Sequence, residues 1–455
     1  MLNWRKSLIG LALRLRGEPA FRYLRFLRFV ESFSLEELLR LQNEKVIGLI
    51  RHAYKNVPYY KEVLSKAGVV KGETIDLDRF GRIPILTKQT VIREGATLYS
   101  SDHVIRNSFR NTTGGSTGEP VGFLQDKEYE ARSFATRFLF DQWGGKDVGE
   151  REILLWGSER DVLGGSDKLS TRLRRWGFNT LVLNSFLMTD EKMGQYVERW
   201  NNLRPKQVWA YTSSILELAR YIKRRSVLIH SPASIICAAE TLTEDVRQII
   251  EETFQCPALN QYGSREAGAI ACECLKKEGL HVFVLDNKVE ILNDNLEPCG
   301  AGQMGKIYIT TLNNYSMPLI RYDIGDMAVV AENKKCSCGR SWPLIANVIG
   351  RHIEAFRTRD GRVVPGQFFI HFVGVVYNEG YIKRFQVIQK DYDKILVRVV
   401  INDEAKFNSR KQDIVESIRK VMGEGCKVDF EYVDDIPPAK SGKYLYTLSE
   451  VPPPK

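Results

Sequence analysis

Asn111-Thr-Thr-Gly-Gly-Ser-Thr-Gly-Glu-Pro120 is the stretch on which the reading of this chain turns. Glycines, threonines and a serine crowd into it, and a proline stops it, so neither core helix nor core strand can run through. Glycine lets the main chain approach a ligand closely. Successive backbone N–H groups in such a loop form an anion-binding nest, and the hydroxyls add donors. The segment reads as a phosphate cradle. The plain alternative is a surface loop, which Gly/Ser/Thr clusters usually are. Val121-Gly-Phe-Leu-Gln125, which follows, reads as a strand, the flank that a phosphate loop needs.

Working outward, 455 residues allow two or three domains and a large core. Hydrophobic content of 43% and charged content of 27% are ordinary for a soluble globular protein. A net charge of +10 suits nucleic acid, a membrane surface or an enzyme of polyanionic substrates, and over this length it excludes none of them. No apolar run approaches the roughly 18–20 residues of a membrane span. The opening Met1–Arg14 imitates a signal peptide but lacks a cleavage site, so a cytoplasmic location is expected. Residues 1–28 hold Arg5, Lys6, Arg14, Arg16, Arg22, Arg25 and Arg28 against Glu18 alone, interleaved with aromatic residues. The favoured reading is a solvated basic face on packed helices within a helical N-terminus, 1–67. The second is peripheral contact with anionic lipid.

Apolar positions recur at helical spacing from Leu35 to Val57, behind a Ser34/Glu37 capping-box pattern. Val57-Pro-Tyr-Tyr60 breaks the pattern, and a short helix is expected over Lys61–Ala67, then another over Lys88–Glu94. Strands at 152–156, 180–183, 207–210 and 233–237 alternate with helices at 190–203, 214–225 and 244–254. This predicts an α/β fold with buried parallel strands. Ligands bind beyond the carboxyl ends of such strands, where the loops Tyr211–Ser214, Ala238–Thr241 and Gln261–Gly268 lie. From 281 onward short strands follow without helices, predicting a small antiparallel, barrel-like region. Residues 356–455 predict a small α+β domain with a helix at Asp413–Val421. The expected organisation is a large domain over 1–350, a hinge at 351–355 and a mobile C-terminal domain.

Several loop residues have suitable chemistry. Tyr262 can stack on a base, Glu266 can hold a hard cation through oxygen, and Asp326 can accept from ribose hydroxyls. Lys443, on the glycine turn of Pro437-Pro-Ala-Lys-Ser-Gly-Lys443, can be delivered to a phosphate. Taken singly, each carboxylate reads more simply as a turn residue capping its own backbone, and Lys443 as a solvated lysine.

Their order is more specific. Thr-Thr-Gly-Gly-Ser-Thr-Gly-Glu-Pro (112–120), Tyr-Gly-Ser-Arg-Glu (262–266), Arg-Tyr-Asp-Ile-Gly-Asp (321–326), Gly-Arg-x-x-Glu (350–354) and Ser-Gly-Lys (441–443) together resemble the adenylate-forming ligases. These include acyl-CoA synthetases, luciferase and peptide-synthetase adenylation domains. Ile-Arg-His-Ala-Tyr-Lys-Asn-Val-Pro-Tyr-Tyr (50–60) is similar to the phenylacetate–CoA ligase branch and its relatives in capsule and polysaccharide biosynthesis.

The resemblance implies a large domain with parallel-rich sheets and a mobile α+β domain. It implies ATP and Mg²⁺, a small-molecule carboxylate substrate, coenzyme A as co-substrate in the family's usual reaction, and no nucleic acid. Thr112, Thr113, Gly114, Gly115, Ser116, Thr117 and Gly118 would hold the β- and γ-phosphates. Ala238, Ala239 and Glu240 would line the adenine pocket, with Tyr262, Gly263 and Ser264 beside the nucleotide and Glu266 on Mg²⁺. Asp326 and Arg351 would bind the ribose, Glu354 would be the hinge, and Lys443 the adenylation lysine. Tyr211 would border the acyl pocket, and Arg265 would read an acidic substrate or pair with Glu119. Glu119 stands where the family usually carries lysine and is expected to face solvent. An amine acceptor in place of coenzyme A is the close variant. A non-catalytic basic zinc scaffold is the competing class.

Eight cysteines in such a chain do not suggest a disulfide framework. Cys272-Glu-Cys274 with His281, and Cys336-Ser-Cys338, suit tetrahedral Zn²⁺. Relatives of the phenylacetate branch resemble this chain here too. The expected structural zinc ligands are Cys274, His281, Cys336 and Cys338, with Cys272 as substitute, in a β region over about 270–345.

Overall fold

The computed structural model describes residues 3–15, 17–112, 122–157, 169–186, 188–333, 335–349, 356–364, 366–376, 381–436 and 445–451. Helices α1 (Trp4–Leu15), α2 (Ala20–Val30), α3 (Leu35–Asn56) and α4 (Pro58–Lys66) open the chain. Both halves of the capping box at Ser34 and Glu37 form, so α3 begins where the sequence predicts. Contrary to expectation, Pro58 does not separate two helices by a gap. It is the first residue of α4, where its missing N–H would be unpaired in any case. α2 buries Ala20, Leu24, Leu27 and Val30. Among the described residues no helix is long and apolar enough to cross a membrane.

A two-residue hairpin, β1 (Val70–Lys71) and β2 (Thr74–Ile75), and helix α5 (Lys88–Glu94) lead to a second hairpin, β3 (Phe109–Thr112) and β4 (Gly122–Gln125). Its register pairs Thr112 with Gly122, so the glycine-rich segment connects the two paired ends. Helix α6 (Lys127–Trp143) follows, capped by Asp126.

The main sheet contains β5 (Glu152–Trp156), β6 (Thr180–Asn184), β7 (Gln207–Tyr211), β8 (Ser234–Ala238) and β9 (Ala258–Ser264), all parallel. Their connections carry α7 (Leu169–Phe178), α8 (Asp190–Leu203), α9 (Thr212–Arg225) and α10 (Glu244–Phe254). β7 and β8 are buried at every position, as sheets covered on both faces require. β10 (Gly268–Glu273), β11 (Leu280–Val282), β12 (Asn287–Leu292), β13 (Met304–Thr311), β14 (Tyr322–Val330) and β15 (Leu344–Ile349) are antiparallel. The region expected as barrel-like is joined edge to edge to the parallel strands, in one 11-stranded sheet of order β12-β13-β14-β15-β11-β10-β9-β8-β7-β5-β6. The β9–β10 turn makes the junction, which no local pattern in the sequence announces.

The C-terminal segment begins with β16 (Phe356–Arg357), β17 (Val363–Val364) and α11 (Gly366–His371). Strands β18 (Ile382–Asp391) and β19 (Lys394–Ile401), helix α12 (Glu404–Met422), β20 (Lys427–Tyr432) and β21 (Thr447–Ser449) complete it. A four-stranded sheet, β20-β19-β18-β21, packs on α12. α12 starts well before the expected Asp413: Asp403 caps it by accepting from the Lys406 N–H. The polar run Asn408–Gln412 hides these turns from periodicity, and only Phe407 is buried there.

Candidate functional site

Strand register builds the site. Tyr211 lies opposite Ala238 and Ala238 opposite Gln261, so the carboxyl ends of β7, β8 and β9 line up. The three loops picked from the sequence therefore meet over a cavity of about 750 Å³. Tyr211, Ala238, Ala239, Glu240, Tyr262, Gly263, Ser264, Arg265, Glu266 and Asp326 all line it. Asp326 arrives from elsewhere: its motif runs inside β14, and the Tyr262 hydroxyl donates to Asp326 Oδ2 at 2.9 Å. The adjoining Arg321 is buried in structural contacts instead, with Glu290 and the Ile83 carbonyl.

Glycine is required at 263. A Cβ there would lie 2.6 Å from the Gly268 carbonyl oxygen, where β9 and β10 cross closely. Ala239 has φ of 67°, a left-handed conformation unusual for a residue with a Cβ. The turn aims Glu240 back at α9. Its carboxylate accepts from the Ser213 N–H at 2.6 Å and the Ser213 hydroxyl at 3.0 Å, at the helix N-terminus. Burial pushes this carboxyl up to about 7, against the pull of the Ser213 bonds. Glu240 thus braces two strand ends with its carboxylate while its backbone borders the cavity. Glu266 is buried, and Tyr129 donates to its carbonyl at 3.3 Å.

The sequence reading missed other parts of the site. Gln125, at the end of β4, donates to the Arg265 carbonyl at 2.8 Å and accepts from Asn111 Nδ2 at 3.0 Å. It ties the hairpin bearing the glycine-rich segment to the Tyr-Gly-Ser-Arg-Glu loop. An aromatic wall is formed by Trp156, Phe186, Trp209 and Tyr211. Trp156 and Tyr211 rings lie 4.0 Å apart between centroids. A Cβ at Gly157 would fall 1.9 Å from the Phe186 ring, so that glycine makes room for it. Behind the wall, Trp209 Nε1 donates to Asp141 at 2.8 Å, and Asp141 and Glu152 share the buried Lys146. Phe186 packs against Phe368, and Ile370 of α11 reaches the cavity, so the C-terminal segment closes one side. Isolated aromatic residues in separate segments carry no signal of such convergence.

Thr112 ends β3. Thr113, Gly114, Gly115, Ser116, Thr117, Gly118, Glu119, Arg351, Glu354 and Lys443 lie outside the described residues.

A second cluster lies in the antiparallel region. Cys274 follows β10, His281 is on β11, and Cys336 and Cys338 precede β15. Their ligand atoms all lie within 4.8 Å of one another. Cys274 and Cys336 sulfurs are 3.6 Å apart, and Cys338 Sγ is 3.5 Å from His281 Nε2. A tetrahedral centre with bonds of about 2.3 Å separates its ligands by about 3.8 Å, so the spacing fits one metal ion. It is too long for a disulfide. Burial, with Arg340 nearby, pushes His281 down to about 4, leaving a neutral imidazole, the form that a metal ion requires. Glu278 holds the loop by accepting from the Ser337 N–H at 2.7 Å and hydroxyl at 2.6 Å. Cys272, the substitute ligand, is buried in the main core instead.

The CapK C-terminal domain model matches residues 356–450. Protein CapK of Staphylococcus aureus is 25% identical over 417 residues, covering 91% of this chain and 90% of that protein. The phenylacetate-coenzyme A ligase of Thermus thermophilus is 25% identical, over 92% of this chain and 98% of the relative. The crystal structure of 2-hydroxyisobutyryl-CoA ligase with 2-HIB-AMP and CoA superimposes with a TM-score of 0.60 at 16% identity, over 92% of this chain and 91% of that one. By sequence the chain is similar to the CapK and phenylacetate–CoA ligase proteins, and its fold is that of the 2-hydroxyisobutyryl-CoA ligase structure.

Proposed function

We propose that this protein is an AMP-forming ligase that activates a carboxylic acid with ATP and passes the acyl group to coenzyme A. The observation carrying this reading is the convergence of Tyr262, Glu266, Asp326 and the Ala238–Glu240 turn on one cavity with an aromatic wall. The polar side suits a nucleotide and the Trp156–Phe186–Trp209–Tyr211 side an acyl group.

A substrate carboxylate oxygen attacks the α-phosphorus in line. The bond to the bridging oxygen breaks, pyrophosphate leaves, and an acyl-adenylate remains. Thiol attack on its carbonyl carbon then releases AMP and forms the thioester. Charge gathers on the phosphoryl oxygens in the first step, so fixed donors and cations do most of the work. Thr112–Gly118 supply backbone and hydroxyl donors, and Lys443 supplies a cation. Asp326, oriented by the Tyr262 hydroxyl, accepts from the ribose. Glu266 would hold Mg²⁺, which supplies charge neutralisation when bound. The segment beyond Glu354 turns between the two steps, withdrawing Lys443 and admitting the second nucleophile. The Cys274–His281–Cys336–Cys338 cluster binds a structural zinc, since four protein ligands leave no open position. A role in surface polysaccharide biosynthesis is supported by the sequence resemblance.

The test is carboxylate-dependent ATP–pyrophosphate exchange across an acid panel. Lys443→Ala should reduce exchange by orders of magnitude while leaving transfer from preformed adenylate largely intact. Equal loss of both would contradict the two-step geometry, and absence of both exchange and ATP binding would favour a scaffold. Supplying coenzyme A or amines in the second step identifies the acceptor.

A further inference from the structure

Amphipathic helices in a water-soluble protein turn their apolar stripe inward. Two helices here do the reverse. On α1, Trp4, Leu8, Leu11 and Leu15 recur at helical spacing and are all exposed, Leu15 by 80%. On α7, Leu169, Leu173 and Trp176 do the same, at 69%, 58% and 58%. Ile9 is the one fully buried residue of α1, and α7 has none.

The two stripes adjoin. Trp4 and Trp176 rings lie 6.3 Å apart, with the Arg5 guanidinium 4.7 and 5.0 Å from their centroids. Asn3 Nδ2 donates to the Val148 carbonyl at 2.8 Å and Lys6 pairs with Asp147, fixing α1 to the body. The pair is therefore a preformed surface.

We infer that α1 and α7 dock the protein on an anionic lipid surface, apolar stripes inward to the acyl boundary and arginines at the headgroups. Charge selects this occupant. α1 carries Arg5, Lys6 and Arg14, α7 carries Arg172, Arg174 and Arg175, and neither has an acid. A second copy of the chain would bring these cations against each other. An anionic bilayer is attracted by this net positive face and accepts the leucines and the two indoles, which favour the interface.

The test is co-sedimentation of the full chain with phosphatidylcholine vesicles, with and without phosphatidylglycerol. Binding to the anionic vesicles, weakened by salt, is expected. Leu11→Glu with Leu173→Glu should abolish it, and both sites are exposed, so folding is not at stake. Arg14→Gln with Arg172→Gln should lower the partition coefficient about 25-fold, at about fivefold per arginine. Neither pair should alter pyrophosphate exchange in solution. Failure to bind anionic vesicles at low salt would overturn the proposal. So would binding indifferent to both pairs, or self-association without lipid affinity that Leu11→Glu/Leu173→Glu removes.

Discussion

Removing Cys336 and Cys338 tests the four-ligand cluster most directly. In the folded chain Cys336 lies 3.6 Å from Cys274, its partner 62 residues earlier. A metal bound there cross-links β10 and β11 to the segment before β15. Treated as a closed loop of that length, the cross-link restricts the unfolded chain by about 4 kcal/mol. In domains of this size each kcal/mol is worth about 2 °C of melting temperature, so the loss should be about 8 °C. The assay has two parts: metal analysis of protein purified without added zinc, and thermal unfolding. Wild type should carry zinc in stoichiometric amount, and Cys336→Ser/Cys338→Ser almost none. Chelator-stripped wild type and the variant should melt alike, which separates metal loss from the serine substitutions. Zinc-free wild type refutes the reasoning, as does a variant that retains the metal.

Two further expectations concern the cavity. Tyr262→Phe removes the 2.9 Å bond to Asp326. A hydrogen bond to a carboxylate is worth about 1.5–3 kcal/mol, so the KM for ATP should rise about tenfold or more, and unchanged ATP kinetics would separate this pair from the nucleotide. Glu240 has a folded-state pKa near 7, above the ordinary 4.5, so the folded state holds its proton more tightly than the unfolded state. That contribution is fully present below about pH 4.5 and is lost as pH rises through 7, by up to about 3 kcal/mol. Denaturant titrations at pH 5 and 8 should show this loss in wild type and a smaller one in Glu240→Gln; equal losses in both would contradict it.

Much of the fold is legible in the sequence because parallel strands buried on both faces are continuous apolar runs, as at Val208–Tyr211 and Ile235–Ala238. Amphipathic helices announce themselves similarly, as Ser34 and Glu37 do for α3. The start of α12 escapes because Phe407 alone is buried among polar residues there. Periodicity reports that a face is buried, not what buries it. The continuity of β9 with β10, which fuses the antiparallel strands to the parallel sheet, is therefore invisible in one dimension.

The sequence by itself determined the residue types and their order: a glycine-rich segment, a Tyr-Gly-Ser-Arg-Glu turn, an acid after Gly325, and thiols with an imidazole. Those are chemical capacities, and they are local. Only the tertiary structure decided who meets whom. Strand register places Tyr211, Ala238 and Gln261 side by side, and sheet order carries Asp326 to Tyr262. It also gathers Trp156, Phe186 and Trp209 from separate segments into one wall. The physical reason is that contacts distant in sequence are fixed by packing the whole sheet, whereas a motif records only what its own backbone and side chains can do.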